Sequence, residues 1–167
     1  VYVTCQGKTY RTYYEENGDG IPMVCLHTAG SDGRMYRHQL CDPDISANFR
    51  TIVFDVPRHG KSLPPAGWHL EEDEYKLTTS FYAEFIVEFC RALELHKPVI
   101  MGQSMGGNIC LELALRYENE FSALIAMEAC DYSPGWWIDP LHHPEIHGGE
   151  AVATSVFGLM SPESPDE

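Results

Sequence analysis

The chain has 167 residues, the length of one ordinary domain, and its 44% hydrophobic and 11% aromatic content is enough to bury a core, which excludes a disordered tail or a collagen-like repeat. Eleven Lys and Arg stand against 25 Asp and Glu, a formal net charge of −14, so nucleic acid and anionic membrane surfaces are disfavoured as partners. The ten carboxylates from Glu118 to Glu167 meet no Lys or Arg in that stretch, which reads as a solvated acidic surface.

Six cysteines, at 5, 25, 41, 90, 110 and 130, form no C-x-x-C pair, and several fall inside apolar runs such as Met23–Leu26 and Ile109–Leu115, so they read as buried thiols. No charged-then-apolar leader opens the sequence and no apolar run approaches the roughly 20 residues of a bilayer span, so no membrane partner and a reducing, cytoplasmic setting are expected. The first residue is Val and Ser161–Glu167 is polar, as if both ends were cut.

In chain order, Val1–Cys5 reads as a strand that pairs through Gln6-Gly7-Lys8 with a polar-tolerant strand over Tyr10–Glu15. Met23–His27, Thr51–Asp55, Pro98–Met101 and Ala123–Met127 are continuous apolar runs, the mark of strands buried on both faces. Between them, Phe81, Phe85, Phe89 and Leu93 recur at every fourth position, which predicts a helix over Thr78–Leu95. Ile109, Leu113 and Ala114 predict another over Met105–Tyr117, with Gly106 and Gly107 letting its start approach a neighbour. Strand and helix alternating in units of about 30 residues imply right-handed parallel crossovers. The expected fold is α/β: a mostly parallel sheet with helices on both faces. Periodicity breaks at Asp131, so residues 1–130 are expected to form the core and 131–167 a separate insertion, with a helix over Glu150–Met160.

The sharpest chemical signal is Gly102-Gln103-Ser104-Met105-Gly106, a G-x-S-x-G between an apolar strand and a helix. At such a junction the turn is strained, and a side chain at 102 or 106 would strike the crossing backbone. Ser104 is then pushed out at a helix N-terminus, whose dipole favours a developing negative charge. That arrangement suits a nucleophile. His27-Thr28-Ala29-Gly30-Ser31 follows the earlier buried strand, where amides for an oxyanion would be needed.

With these motifs the chain resembles the α/β-hydrolase fold superfamily, in the cap-bearing branch of small-molecule esterases, carbon–carbon bond hydrolases and haloalkane dehalogenases. Leu26-His27-Thr28-Ala29 resembles the H-G-x loop after the third strand, Asp55-Val56-Pro57-Arg58-His59-Gly60-Lys61-Ser62 the D-x-x-G-x-G-x-S after the fourth, and Gly102–Gly107 the nucleophile elbow after the fifth. The resemblance runs from Tyr2 to Ala129. It implies Ser104 as nucleophile and the backbone amides of Met105 and Ala29 as the oxyanion hole. It also implies truncation after the sixth strand and the start of the cap. Thr28 and Arg58 stand where the family has glycine, which puts the hole's backbone in question.

A serine nucleophile needs a base, and the family places its His after the final strand, where this sequence offers none. Glu128, ending the sixth strand, is a position from which some haloalkane dehalogenases supply the steering acid, with Asp131 beside it; the family more commonly takes that acid from after a seventh strand, which this sequence does not include, and Glu128 is then a carboxylate that only solvates or caps a strand end. His143 and His147 have zinc-pair spacing around Glu145, but Pro144 and Gly148-Gly149 argue against a helix, so neither metal nor organic cofactor is expected. Trp136 and Trp137, with Thr28, Phe157 and Met160, are candidates for the wall of a substrate pocket. The expectation is a hydrolase of an ester or related carbonyl bond in a small, largely apolar substrate. The alternative is a ligand-binding or receptor protein that keeps the fold with little turnover, and acyl transfer or cofactor-free peroxidation would use the same elbow. The chain alone is expected to be catalytically poor, with Ala123–Met127 left as an unpaired, association-prone edge.

Overall fold

The computed structural model describes residues 1–69 and 78–129. The anticipated cap, including Trp136, Trp137, His142, His143, His147 and the helix over Glu150–Met160, lies outside the described residues, as does Cys130.

The N-terminal hairpin pairs β1 (Tyr2–Cys5) with β2 (Lys8–Arg11). Gln6 at φ 50° and Gly7 at φ 73° supply the two left-handed residues that a tight two-residue hairpin turn demands. The strand expected over Tyr10–Glu15 is two strands. Thr12 donates its N–H to the Val1 carbonyl (2.9 Å) and Tyr13 donates to Ser62 Oγ (2.9 Å), so the ladder stops there and the chain crosses to the main sheet as β3 (Tyr14–Asn17).

That sheet adds β4 (Ile21–Leu26), β5 (Phe49–Phe54), β6 (Val99–Gln103) and β7 (Ala123–Met127) in the order β3-β5-β4-β6-β7. Only β3 runs antiparallel; the other neighbours pair in parallel. The four apolar runs therefore became the parallel strands, and β4 and β5 end in four consecutive buried residues each. β7 borders the described sheet, with Ile125 exposed.

Helices cover both faces. On one, α3 (Thr79–Ala92) and α4 (Met105–Arg116) pack on Val24, Leu26, Ile52, Phe54 and Ile100. On the other, Met23, Cys25, Val53 and Val99 meet Tyr36 of a 3-10 turn (Gly33–Tyr36), Leu40 of α1 (Arg37–Cys41) and Ile45 of α2 (Pro43–Ser46). Alternate residues of one strand feed the two cores, as a strand's period of two requires. The phenylalanine stripe of α3 does what its spacing predicts: Phe89 stacks on Phe54 (4.3 Å between centroids), and Phe81 and Phe85 close on Tyr10 of the hairpin at 5.7 and 5.5 Å. In α4 the buried stripe is Ile109, Cys110 and Leu113; Ala114, expected inside, is exposed.

Cys5, Cys25, Cys90 and Cys110 are buried free thiols, each pushed up to about 12 chiefly by burial, so they pack as small protonated hydrophobes. Cys41 departs from that expectation by being exposed. The Thr78 side chain caps α3 by accepting from the Phe81 N–H (3.1 Å). Thr78→Ala is expected to lower stability by about 1 kcal/mol, read from chemical denaturation.

Candidate active site

Ser104 joins β6 to α4 with φ 54° and ψ −111°, a conformation that a residue with a Cβ adopts at a cost of about 1–3 kcal/mol. Its surroundings hold it there. Ser104 N–H donates to the Met127 carbonyl (2.9 Å), and its own carbonyl accepts from Asn108 N–H (2.9 Å) as the first rung of α4. A Cβ at Gly102 would overlap the Gly106 carbonyl. One at Gly106 would overlap the Leu26 carbonyl and stand 2.8 Å from Leu26 Cβ, and one at Gly107 would reach 2.6 Å from the Met127 oxygen. The three glycines thus let α4 begin in direct contact with the ends of β4 and β7. Ser104 is half-buried, and among the described residues its hydroxyl has no hydrogen-bond partner. Met105 is the first residue of α4, where a backbone N–H lacks an intrahelical acceptor.

Leu26 lies in register with Gly102, so the loop His27-Thr28-Ala29 leaves β4 beside the turn that leaves β6. Thr28 is half-buried and Ala29 exposed. Thr28 is absent from the positive-φ residues, so threonine there meets no backbone strain. Arg58 does carry the glycine-like conformation, at φ 68°, and its guanidinium lies over the Trp68 ring (4.2 Å).

His27 braces this loop. It is fully buried; its Nδ1–H donates to the Thr28 carbonyl (2.8 Å), and its Nε2 accepts from Val56 N–H (3.1 Å). Those partners define one neutral tautomer and leave neither nitrogen for proton transfer. Burial holds the ring's pKa below the ordinary histidine value, reinforced by His59, whose ring lies 5.1 Å away, and opposed by the Thr28 carbonyl, Asp55 and Asp32. A histidine neutral in the fold and free to protonate when unfolded contributes stability that is complete above about pH 6.5 and is lost as pH falls from there through the lower folded value. Melting temperature measured between pH 8 and 4.5 is expected to fall less steeply for His27→Gln than for the natural chain.

Asp55, at the end of β5, ties two loops together. One carboxylate oxygen accepts from Gly33 N–H (2.7 Å), the other from Lys61 N–H (2.7 Å), and its carbonyl accepts from the Ser62 hydroxyl (2.6 Å). A cleft of about 350 Å³ opens beside it, lined by Tyr13, Asp32, Arg34, Asp55 and Lys61 among others; Ser104 is not on its wall.

Glu128 follows β7 directly, at φ 50°, and its carboxylate accepts a hydrogen bond from the Gln103 amide. Sequence reasoning singled out Glu128 but missed Gln103. The brace by His27 also went unread, because a loop histidine carries no periodic signal. Of the remaining described histidines, His38, His69 and His96 are exposed, and His59 donates from Nδ1 to the Pro57 carbonyl (3.1 Å). Among the described residues no group of three or more His, Cys, Asp or Glu could hold a metal ion, and no helix is long and apolar enough to cross a membrane.

The family model described as alpha/beta hydrolase fold matches residues 21–146. A Mycobacterium phage D29 protein, provisionally named a non-heme haloperoxidase, is 29% identical over 140 residues, which are 84% of this chain and 44% of that protein. The 2-hydroxymuconate semialdehyde hydrolase of Pseudomonas sp. strain CF600 is 27% identical over 124 residues, 74% of this chain and 41% of the enzyme. Among solved structures, a thermophilic esterase from Thermogutta terrifontis superposes with a TM-score of 0.71 at 22% identity, covering 93% of this chain and 56% of the esterase. The chain spans less than half the length of these curated relatives.

Proposed function

Because the chain belongs to the alpha/beta hydrolase fold family, we propose that it carries the nucleophile and oxyanion-binding parts of a hydrolase that cleaves an ester or related carbonyl bond in a small, largely apolar molecule. The observation that carries this reading is Ser104 itself: a serine kept at φ 54° between β6 and α4, with glycines at 102, 106 and 107 where a Cβ would strike neighbouring backbone. Strain of this kind persists where the surrounding structure enforces it, and at a strand-to-helix turn it projects the hydroxyl outward.

In the proposed reaction Ser104 Oγ attacks the carbonyl carbon. The oxygen becomes an anion that accepts hydrogen bonds from the N–H groups of Met105 and Ala29, with the α4 dipole adding to the stabilisation. Collapse of the tetrahedral intermediate expels the alcohol, and water then releases the acyl group from Ser104. The reaction needs a base for the Ser104 proton. His27 is excluded from that part, since both ring nitrogens already serve backbone groups. The relative named 2-hydroxymuconate semialdehyde hydrolase supports a hydrolytic reaction without selecting a bond or a substrate.

The test uses the complete protein and a fluorophosphonate probe, with the adduct located by peptide mapping. The expected result is a single adduct on the peptide containing Ser104, formed in competition with short-chain aryl esters. Labelling elsewhere, or ester turnover unaffected by the probe, would remove Ser104 from the chemistry.

A further inference from the structure

We propose that Gln103 and Glu128 form a clamp that positions the nucleophile turn, with the Glu128 carboxylate serving as acceptor for the Gln103 amide. In a regular parallel pair, Gln103 and its partner Met127 present side chains on one face, and the next residue along β7 points to the other. Glu128 abandons the strand at φ 50°, and its carboxylate accepts from the Gln103 Nε2. The left-handed turn at Glu128 is therefore what brings the two side chains together.

The location gives the link its purpose. The backbone ladder between β6 and β7 reaches its end where Ser104 N–H meets the Met127 carbonyl. Immediately beyond it both chains turn away, each through a residue that is strained for want of being glycine: Ser104 at φ 54° and Glu128 at φ 50°. Gly107 presses on the same stretch, since a Cβ there would come within 2.6 Å of the Met127 oxygen and 3.1 Å of the Ala129 Cβ. A hydrogen bond from the residue before Ser104 to the residue after Met127 spans this point of divergence and keeps the Ser104 amide against its acceptor. A carboxylate accepting from an amide makes a stronger bond than a neutral pair would. Gln103 and Glu128 are positioning residues in this scheme; neither touches the substrate.

The clamp as a structural device stands on geometry alone, whereas its effect on reactivity rests on the hydrolase reading. Two readouts on the complete protein keep these apart: amide hydrogen exchange at Ser104 and Met105, and the rate of Ser104 acylation by a fluorophosphonate. Gln103→Glu, which opposes two carboxylates, is expected to raise exchange at both amides and to slow acylation by about tenfold, the scale of a small misplacement of a reacting group. The exchanged pair Gln103→Glu with Glu128→Gln restores a donor and an acceptor with their sides reversed. It is expected to return both readouts to within about twofold of the natural protein. Unaltered exchange in Gln103→Glu, or failure of the exchanged pair to recover, overturns the clamp. So does a Glu128→Gln variant that loses nearly all acylation with exchange unchanged, since that outcome makes Glu128 the carboxylate steering the base. If the complete protein is not acylated at all, the hydrolase reading falls, and exchange still decides the clamp.

Discussion

Replacing Ser104 by alanine in the complete protein is expected to lower ester turnover by a factor on the order of 10⁶ without unfolding the chain. The size of the loss follows from what the hydroxyl would do: without it no acyl intermediate forms, and the amides of Met105 and Ala29 retain only their smaller share of the acceleration. The fold survives because the hydroxyl has no hydrogen-bond partner among the described residues, so its removal leaves no buried group unsatisfied. Ser104→Gly separates the two properties further. Glycine accepts φ 54° and ψ −111° freely, so relief of strain, reduced by glycine's greater entropy when unfolded, is expected to raise stability by up to about 2 kcal/mol while turnover disappears. Thermal unfolding beside kinetics reads both effects. A glycine variant that melts earlier would mean that the turn is not strained, and an alanine variant that still turns over would place the nucleophile elsewhere.

Gly106→Ala is expected to lower stability by about 3 kcal/mol and the melting temperature by roughly 10 °C. The new Cβ would stand 2.8 Å from Leu26 Cβ and 2.9 Å from the Leu26 carbonyl carbon, as well as against its oxygen. Leu26 cannot withdraw: it is fully buried in the middle strand of the sheet, and its carbonyl already accepts from the Tyr36 hydroxyl (3.0 Å). The helix must therefore lift from β4, which would draw Met105 away from the loop that holds Ala29. Gly7→Ala is the comparison. Unlike the helical Gly106 it sits at positive φ (73°), but a Cβ there meets nothing within 4 Å, so it is expected to cost about 1 kcal/mol. Denaturant unfolding of the two variants in parallel checks whether a steric clash in the helix at 106 costs more than a strained backbone angle in the open turn at 7.

What could be read from the amino-acid order alone was whatever repeats. The four parallel strands announced themselves as apolar runs and α3 as a phenylalanine every fourth residue, but the burial expected on both faces fails for β7, which borders the described sheet and has no fully buried residue. Met105–Arg116 was legible too, with Cys110 rightly read as a buried thiol, though Ala114 was assigned inward, since small residues carry little directional information. The break at Thr12-Tyr13 was not legible: it depends on Val1 and Ser62 accepting two backbone N–H groups, and one of those acceptors is 49 residues distant. The short helices over residues 33–46 passed unread, although Asp32 and Asp42 each cap a helix start from their side chains, a signal available in Asp-x-Arg and Asp-Pro-Asp. At the site, the glycines around Ser104 pointed to the strained turn through sterics that any sequence with that spacing shares. The tie between Gln103 and Glu128 had no such signature, because it requires a backbone reversal at 128 that residue preference does not indicate.

Asp55 fastens the start of the 3-10 turn at Gly33 and the loop at Lys61 to the tip of one strand, and Ser62 passes the connection on to Tyr13. Such a knot separates the framework from its ornament. Pro64–His69 lies beyond this knot and meets the framework through a separate contact, the Arg58 guanidinium over the Trp68 ring, so a change there need not disturb Gly33, Lys61 or Tyr13. Evolution acting on this scaffold therefore has room to reshape what surrounds the opening while the platform beneath keeps its dimensions.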